Sequence, residues 1–321
     1  MKKLFTSFKT PAIIDIVLDE SISLGKDTHT STRSKPILKT ITVADPNDQF
    51  GDGTPQTFLR FDKDDPIGGK VIIKPEKAFE HAGIKIELIG EIVTYFETRT
   101  STQFISLNKE LAPVGSVGEK DIEYEFVFKS VEKEHESYRG INTDLRYFLR
   151  VTIIRNLFSV VKEQEFWIQN SQSEPEGEDP GISMEVGLQG TVLLSIKYDN
   201  VFHEIKKGCI LGELKFFLVK VKIDKAEVSF IKKETSGVGE NAVTDQEVLR
   251  KFEIIDGTPA KDETVPIRIY LSAIDAWKLT PTCTNVHNKF SVKYFIHLAL
   301  CDTKGRRLFK QREITLWRRA L

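Results

Sequence analysis

The sequence predicts an all-β chain made of two tandem antiparallel β-sandwich domains. Three observations carry that expectation: apolar residues alternate with charged ones at a period of two, turn clusters punctuate the runs, and one set of patterns occurs twice. The segment IEYEFVF at 122–128 places Ile122, Tyr124, Phe126 and Phe128 on one face and Glu123 and Glu125 on the other, as a strand between core and water requires. The same alternation runs through 84–88, 219–223 and 267–271. Turn-forming DGTP at 256–259 and SGVG at 236–239 lie between such runs. Thr244 to Glu247 imitates a helix capping box, but Val248, Phe252 and Ile254 continue in alternation, so a strand is expected there.

The repeat sets the domain count. LRYFLRVTI at 145–153 and VKYFIHLAL at 292–300 share the order apolar, basic, Tyr, Phe, apolar, basic, at an offset of 147 residues (292 − 145). KEQE at 162 and KQRE at 310 follow at 148, GKV at 69 and GEL at 212 lie 143 apart, and Glu87-Leu88 and Glu227-Val228 lie 140 apart. Four patterns in one order at near-constant spacing indicate duplication of a whole β domain. The polar, Pro- and Gly-rich stretch 169–181 then reads as a connector. The expected division is 1–168, a connector at 169–182, and 183–321. A second irregular zone, 25–66, is expected to form a long loop or hairpin.

Composition narrows the function. A chain of 321 residues suits two domains of roughly 150 residues each. Lys plus Arg number 46 against 47 Asp plus Glu, a net charge of −1, and nucleic-acid binding by bulk attraction to phosphate needs an uncompensated basic surplus. Cys209, Cys283 and Cys301 form neither a disulfide framework nor a CxxC motif and read as free thiols of a reducing compartment. The basic start MKKLFTSFKT resembles a signal peptide, but Asp15 interrupts the apolar stretch that follows and no cleavage site appears. No run of about 18 apolar residues exists to span a membrane as a helix, so a cytosolic protein is expected.

Enzyme signatures are missing. There is no GxSxG, HExxH, GxxxxGK[ST] or EF-hand loop, and GVG at 237–239 lacks the rest of a dinucleotide fingerprint, which leaves a hairpin turn. None of His29, His81, His135, His203, His287 and His297 falls at metal-ligand spacing. His81 reads as a turn residue and His297 as an outward strand position. No catalytic residue, cofactor or metal is assigned, which leaves a binding protein.

Two segments stand out as contact surfaces. In KFEIIDGTP at 251–259, strict alternation turns only one of Ile254 and Ile255 inward. Either the second packs under the turn, or the pair forms an apolar loop tip that inserts into a partner. In RRLFKQR at 306–312, expected ahead of the final strand, basic residues surround Phe309, and this is either an ordinary hairpin exit or an aromatic anchor beside a peptide-accepting sheet edge.

EHAGIKIE at 80–87, ESYRG at 136–140, LRYFL at 145–149, MEVG at 184–187, GTP at 257–259, PIR at 266–268, KFSVKYF at 289–295, FKQ at 309–311 and LWR at 316–318 resemble the vacuolar protein sorting 26 family across nearly the whole chain. That resemblance implies the arrestin-like, non-enzymatic subunit of retromer, a cytosolic coat recruited peripherally to endosomes. It implies docking onto the helical solenoid subunit vacuolar protein sorting 35 through a loop over Ile254–Val265. Ile254 and Ile255 are then the anchors, and Asp256, Gly257, Thr258 and Pro259 form the turn. It also implies a surface for sorting nexins and cytosolic cargo tails between the two domains, with Val186 and Phe309 contributing to the cargo pocket, and retrieval of cargo to the Golgi or plasma membrane. Four features depart from the family pattern: a longer 25–66 stretch, a more acidic connector, no polar tail after Trp317, and Ile255 where methionine is common, a mild apolar change. Two rivals stay open. An arrestin-like signalling adaptor calls for a phosphate-reading basic cluster or PPxY, and no PPxY is present; an enzyme or carbohydrate-binding sandwich calls for a concave pocket of converging polar groups.

Overall fold

A computed structural model describes residues 11–19, 39–44, 55–95, 98–177, 179–188, 190–237, 239 and 242–319. Among these, the chain divides by its own contacts into two compact units. Unit 1 holds 11–44, 55–137 and 144–169; unit 2 holds 170–319 together with the excursion 138–143. The excursion places a short piece of the first half of the sequence in the second unit.

Unit 1 is built from β1 (Ala12–Leu18), β2 (Thr40–Val43), β3 (Gln56–Asp62), β4 (Ile67–Pro75), β5 (Phe79–His81), β6 (Gly83–Thr94), β7 (Thr100–Ala112), β8 (Gly115–Val117), β9 (Ile122–Phe128), β11 (Thr143–Ile154) and β12 (Val160–Gln169), while β10 (Tyr138–Arg139) lies in the excursion. The two main sheets run β1-β4-β9 and β2-β3-β12-β11-β6-β7, and β5 pairs with β8 as a small separate sheet. Period-two alternation buries Ile14, Ile16, Val71, Ile73 and Phe126 from the first, and Ile86, Leu88, Leu145, Tyr147, Leu149, Val151, Phe166 and Ile168 from the second. Each such side chain contributes about 1.5–3 kcal/mol on full burial. In the zone 25–66, β2 and β3 pair as a hairpin; residues 25–38 and 45–54, His29 among them, lie outside the described residues.

Unit 2 holds β13 (Ile182–Leu188), β14 (Val192–Tyr198), β15 (Phe202–Glu204), β16 (Cys209–Val219), β17 (Ile223–Ser236), β18 (Val243–Asp256), β19 (Thr264–Tyr270), β20 (Cys283–Val286), β21 (Phe290–Asp302) and β22 (Arg307–Trp317). Its sheets run β13-β14-β16-β19 and β15-β22-β21-β17-β18. The order β3-β12-β11-β6-β7 of unit 1 therefore recurs as β15-β22-β21-β17-β18. The recurrence extends to a parallel pairing of the first two strands in each copy, Ile168 opposite Phe61 and Leu316 opposite His203. The repeated sequence patterns fall on corresponding strands, LRYFLRVTI on β11 and VKYFIHLAL on β21, with Tyr147 and Tyr294 both fully buried.

Four local expectations need correction. The alternation at 219–223 is not a strand: β16 ends at Val219, β17 starts at Ile223, and the Lys220 N–H donates to the Thr191 carbonyl where the chain crosses between sheets. His81 is a buried strand residue rather than a turn residue, paired opposite Gly115. Phe309 lies within the last strand, not ahead of it. The connector is tied to unit 2: Gln172 N–H donates to the Arg318 carbonyl, and the Asp179 carboxylate accepts from the backbone of Val201 and Phe202. The strand expected through Thr244–Glu247 forms as part of β18.

Candidate partner-binding surfaces

The pair Ile254–Ile255 sits at the end of the edge strand β18. Along β17, Glu227 faces Glu253 and Ala226 faces Ile255, which leaves Ile254 as an extra residue opposite no partner. This β-bulge breaks the two-residue period. Strict alternation would turn one isoleucine in and the other out, but the bulge leaves both half-buried, each with apolar surface in water.

The turn that follows is held by its own bonds. Gly257 has φ +93°, a region that a side chain strains, and its N–H donates to the Asp224 carbonyl at 2.7 Å. The Thr258 hydroxyl accepts from the Ile223 N–H at 2.9 Å and donates to the Ile223 carbonyl at 3.1 Å. Pro259 is buried, whereas Asp256 and Thr258 are exposed. The Glu263 carboxylate accepts from the Ala260 N–H at 2.6 Å, and the Phe216 carbonyl accepts from the Asp262 N–H at 2.7 Å. The segment from Ile254 to Val265 thus carries two apolar side chains on a loop already ordered, which lowers the entropy lost on docking.

Val186 and Phe309 lie on two strands of unit 2 that run close together, β13 and β22. Among the described residues β13 pairs only with β14. β22 pairs with β15 through Thr315–Trp317 alone, so among the described residues its stretch Arg307–Ile314 has no strand on its outer side. Phe309 projects outward, 68% exposed, with its ring stacked on His297 at 5.9 Å. Burial, followed by the charges of Lys233 and Lys251, keeps the His297 pKa below its usual value. Val186 faces the other way and is buried. The two residues therefore mark neighbouring strands but do not jointly line one exposed pocket; the available chemistry is an unpaired backbone edge beside an exposed aromatic ring.

Sequence reasoning missed a cluster around Glu234. This carboxylate, 1% exposed, accepts from the Tyr138 hydroxyl at 2.7 Å and from the backbone N–H groups of Ile141 at 3.0 Å and Asn142 at 2.7 Å. Ser236 bridges to it and to Thr143, and Asn142 Nδ2 donates to Asp245. Burial raises the Glu234 pKa, opposed by the hydrogen bonds from Tyr138 and Asn142. Gly140 admits this approach, because a Cβ there would lie 1.7 Å from Glu234 Oε2. The signal in the sequence was ESYRG, whose glycine marks the close approach but not the carboxylate it meets.

A cleft of about 550 Å³ lies beside His203, Glu204, Trp317 and connector residues Glu174 and Asp179. Its carboxylates are occupied in closing loops: Glu204 accepts from the backbone of Lys206 and Lys207, Asp179 from Val201 and Phe202, and Glu174 pairs with Arg319. Each of these carboxylates is thus committed to a structural contact within unit 2. No helix among the described residues is long and apolar enough to cross a membrane.

Comparison with known proteins agrees with this architecture. The family model described as vacuolar protein sorting-associated protein 26 matches residues 28–305. The chain is 41% identical over 273 residues to vacuolar protein sorting-associated protein 26 of Dictyostelium discoideum, covering 84% of this chain and 76% of that protein. It is 42% identical over 291 residues to the Plasmodium falciparum protein of the same name, covering 87% and 94%. Against vacuolar protein sorting-associated protein 26B of Homo sapiens the identity is 39% over 271 residues, covering 84% and 79%. With the duplicated sandwich and these matches together, the chain belongs to the vacuolar protein sorting-associated protein 26 family, a family of protein sorting.

Proposed function

We propose that this chain is a non-enzymatic subunit of an endosomal sorting coat of the retromer type. It docks onto the helical solenoid subunit vacuolar protein sorting 35 through the loop Ile254–Val265. The observation that carries this reading is the bulge that leaves Ile254 and Ile255 both part-exposed on a turn fixed by its own hydrogen bonds. A pair of aliphatic anchors on an ordered tip suits a groove between helices. Sorting nexins and cytosolic cargo tails meet the same unit at the open edge of β22, where an extended chain gains main-chain hydrogen bonds and Phe309 supplies apolar contact. The chain then works in the cytoplasm, recruited to the endosomal surface.

The test is a pull-down of vacuolar protein sorting 35 by the intact chain and by Ile254→Asp with Ile255→Asn. Two polar groups in a desolvated contact cost about 2–5 kcal/mol, enough to lower affinity by well over tenfold. Binding by a folded double variant at the parent level would overturn the site assignment.

A further inference from the structure

The open edge of β22 carries charge on an unexpected face. Residues opposite one another on β21 and β22 share a side of the sheet, and Lys310 lies across from Leu298, Arg312 across from Ile296. Leu298 and Ile296 are buried in the core. Lys310 and Arg312 therefore occupy the core-facing side of the edge, yet both are exposed, where no strand among the described residues continues the sheet. Phe309 and Gln311 alternate onto the other side, across from Ala299 and His297.

These cations are uncompensated. The side chains of Arg307, Lys310 and Arg312 are exposed and pair with no described carboxylate. The acids around them are taken or turned away. Glu313 pairs with Lys293 at 3.2 Å, and Asp302 with Arg306 at 2.6 Å. Glu185 on β13 alternates with the buried Met184 and Val186, so it points away from the core. The fold does not demand this arrangement. In the aligned KEQE of unit 1, Gln164 stands where unit 2 has Arg312, and Glu163 pairs with Arg150 at 2.7 Å.

Inward-facing cations on an edge oppose pairing with a second copy of the same strand, which brings like charges together. A chain that supplies the opposite charge meets no such penalty. Resting on the reading that an extended tail docks at this edge, we infer that the edge selects a tail with the pattern apolar, acidic, any, acidic. Paired along β22, such a segment sets its apolar residue across from Phe309 and its two acids across from Lys310 and Arg312. The spacing of the acids is the distinguishing mark, because adjacent residues of an extended chain point to opposite faces.

The test is fluorescence anisotropy of labelled peptides with the full chain at low ionic strength. The peptide TSTLETELTST presents the pattern in either direction along the strand. It is expected to bind about tenfold tighter than the amide peptide TSTLQTQLTST, and about threefold tighter than TSTLEETLTST, which has the same composition with adjacent acids. Lys310→Gln with Arg312→Gln should abolish the preference at an unchanged unfolding midpoint, and Lys310→Glu with Arg312→Glu should turn it toward TSTLKTKLTST. Equal binding of acidic and amide peptides, still weakened by Phe309→Ala, overturns the acid selection and leaves docking at the edge standing. No binding of any peptide overturns both. Equal binding of the two acidic peptides reduces the effect to general charge attraction and overturns the pattern, as does a preference that survives the glutamine double variant.

Discussion

The two units share a five-strand order in one sheet and differ in what they bury and what they expose. Unit 1 satisfies its buried lysine with backbone carbonyls: Lys133 is 2% exposed, and its ammonium donates to the carbonyls of Asp65 at 2.7 Å and Val131 at 3.3 Å. Unit 2 pairs its buried lysine, Lys232, with the Glu247 carboxylate and surrounds the buried Glu234 carboxylate with hydroxyl and backbone donors, at a position that the 140-residue offset aligns with Thr94 of β6. At their hairpin tips the contrast continues, with apolar Leu157-Phe158 in one copy and a self-closed polar turn in the other. Duplication supplied a common sandwich, and the copies diverged where its framework is indifferent to sequence: turn tips, strand ends and isolated buried polar sites.

The sharpest way to break this comparison is to remove the buried carboxylate Glu234 from unit 2. Glu234→Ala strands the Tyr138 hydroxyl and two backbone N–H groups, each unpaired group costing about 1–3 kcal/mol, so chemical denaturation should show a loss of about 3 kcal/mol or more. Thr94→Ala, the aligned change in unit 1, removes only a hydroxyl contact with Thr100 and should cost less than about 1 kcal/mol. Equal costs would erase the distinction.

Titration sharpens it next, because Lys133 and Glu234 act in opposite directions. Burial lowers the Lys133 pKa to about 8, with Asp65 and Asp64 opposing the shift. The folded chain therefore holds this proton less firmly than the unfolded one, and stability should rise as pH climbs from about 8 toward the unfolded lysine value. Lys133→Met should flatten that rise in denaturation curves. The Glu234 pKa is raised, so its folded form favours the proton; the burial penalty is felt at higher pH and relieved as pH falls toward the unfolded value. Relative to Glu234→Gln, the parent chain should gain stability on acidification over that window, and a difference independent of pH would contradict it.

Smaller effects are expected at the surfaces. Gly257→Ala places a side chain at φ +93° with open space around it, so the cost is backbone strain alone, about 1 kcal/mol by thermal unfolding. Phe309→Ala should change stability by less than about 0.5 kcal/mol, given its exposure, and yet weaken capture of a cargo-tail peptide while leaving solenoid binding intact. Loss of both activities would point to damage in the sandwich instead.

Much of the architecture could be read in the sequence because strands advertise themselves locally. Tyr147 and Tyr294, with the apolar residues alternating around them, announce matching core strands, and Ile122–Phe128 announces β9. What was hidden depends on partners far along the chain or on a local break of period. The alternation at Val219–Ile223 is indistinguishable from a strand until the crossing between sheets is seen. Ile254 and Ile255 stood out as a pair that alternation could not accommodate, but the bulge that explains them needs the register against β17. Val186 alternates correctly, and that same alternation turns it inward, away from the surface on which family resemblance placed it. Tyr138, Ile141 and Asn142, which donate to Glu234, lie more than ninety residues upstream, so the sequence around Glu234 does not name the donors that bury it.

The segment Tyr138–Thr143 has a consequence for biosynthesis. It leaves the ribosome well before Glu234, whose carboxylate later accepts its backbone N–H groups. During translation these donors must rely on water until β17 emerges, so the first half of the nascent chain cannot complete all its native hydrogen bonds on its own.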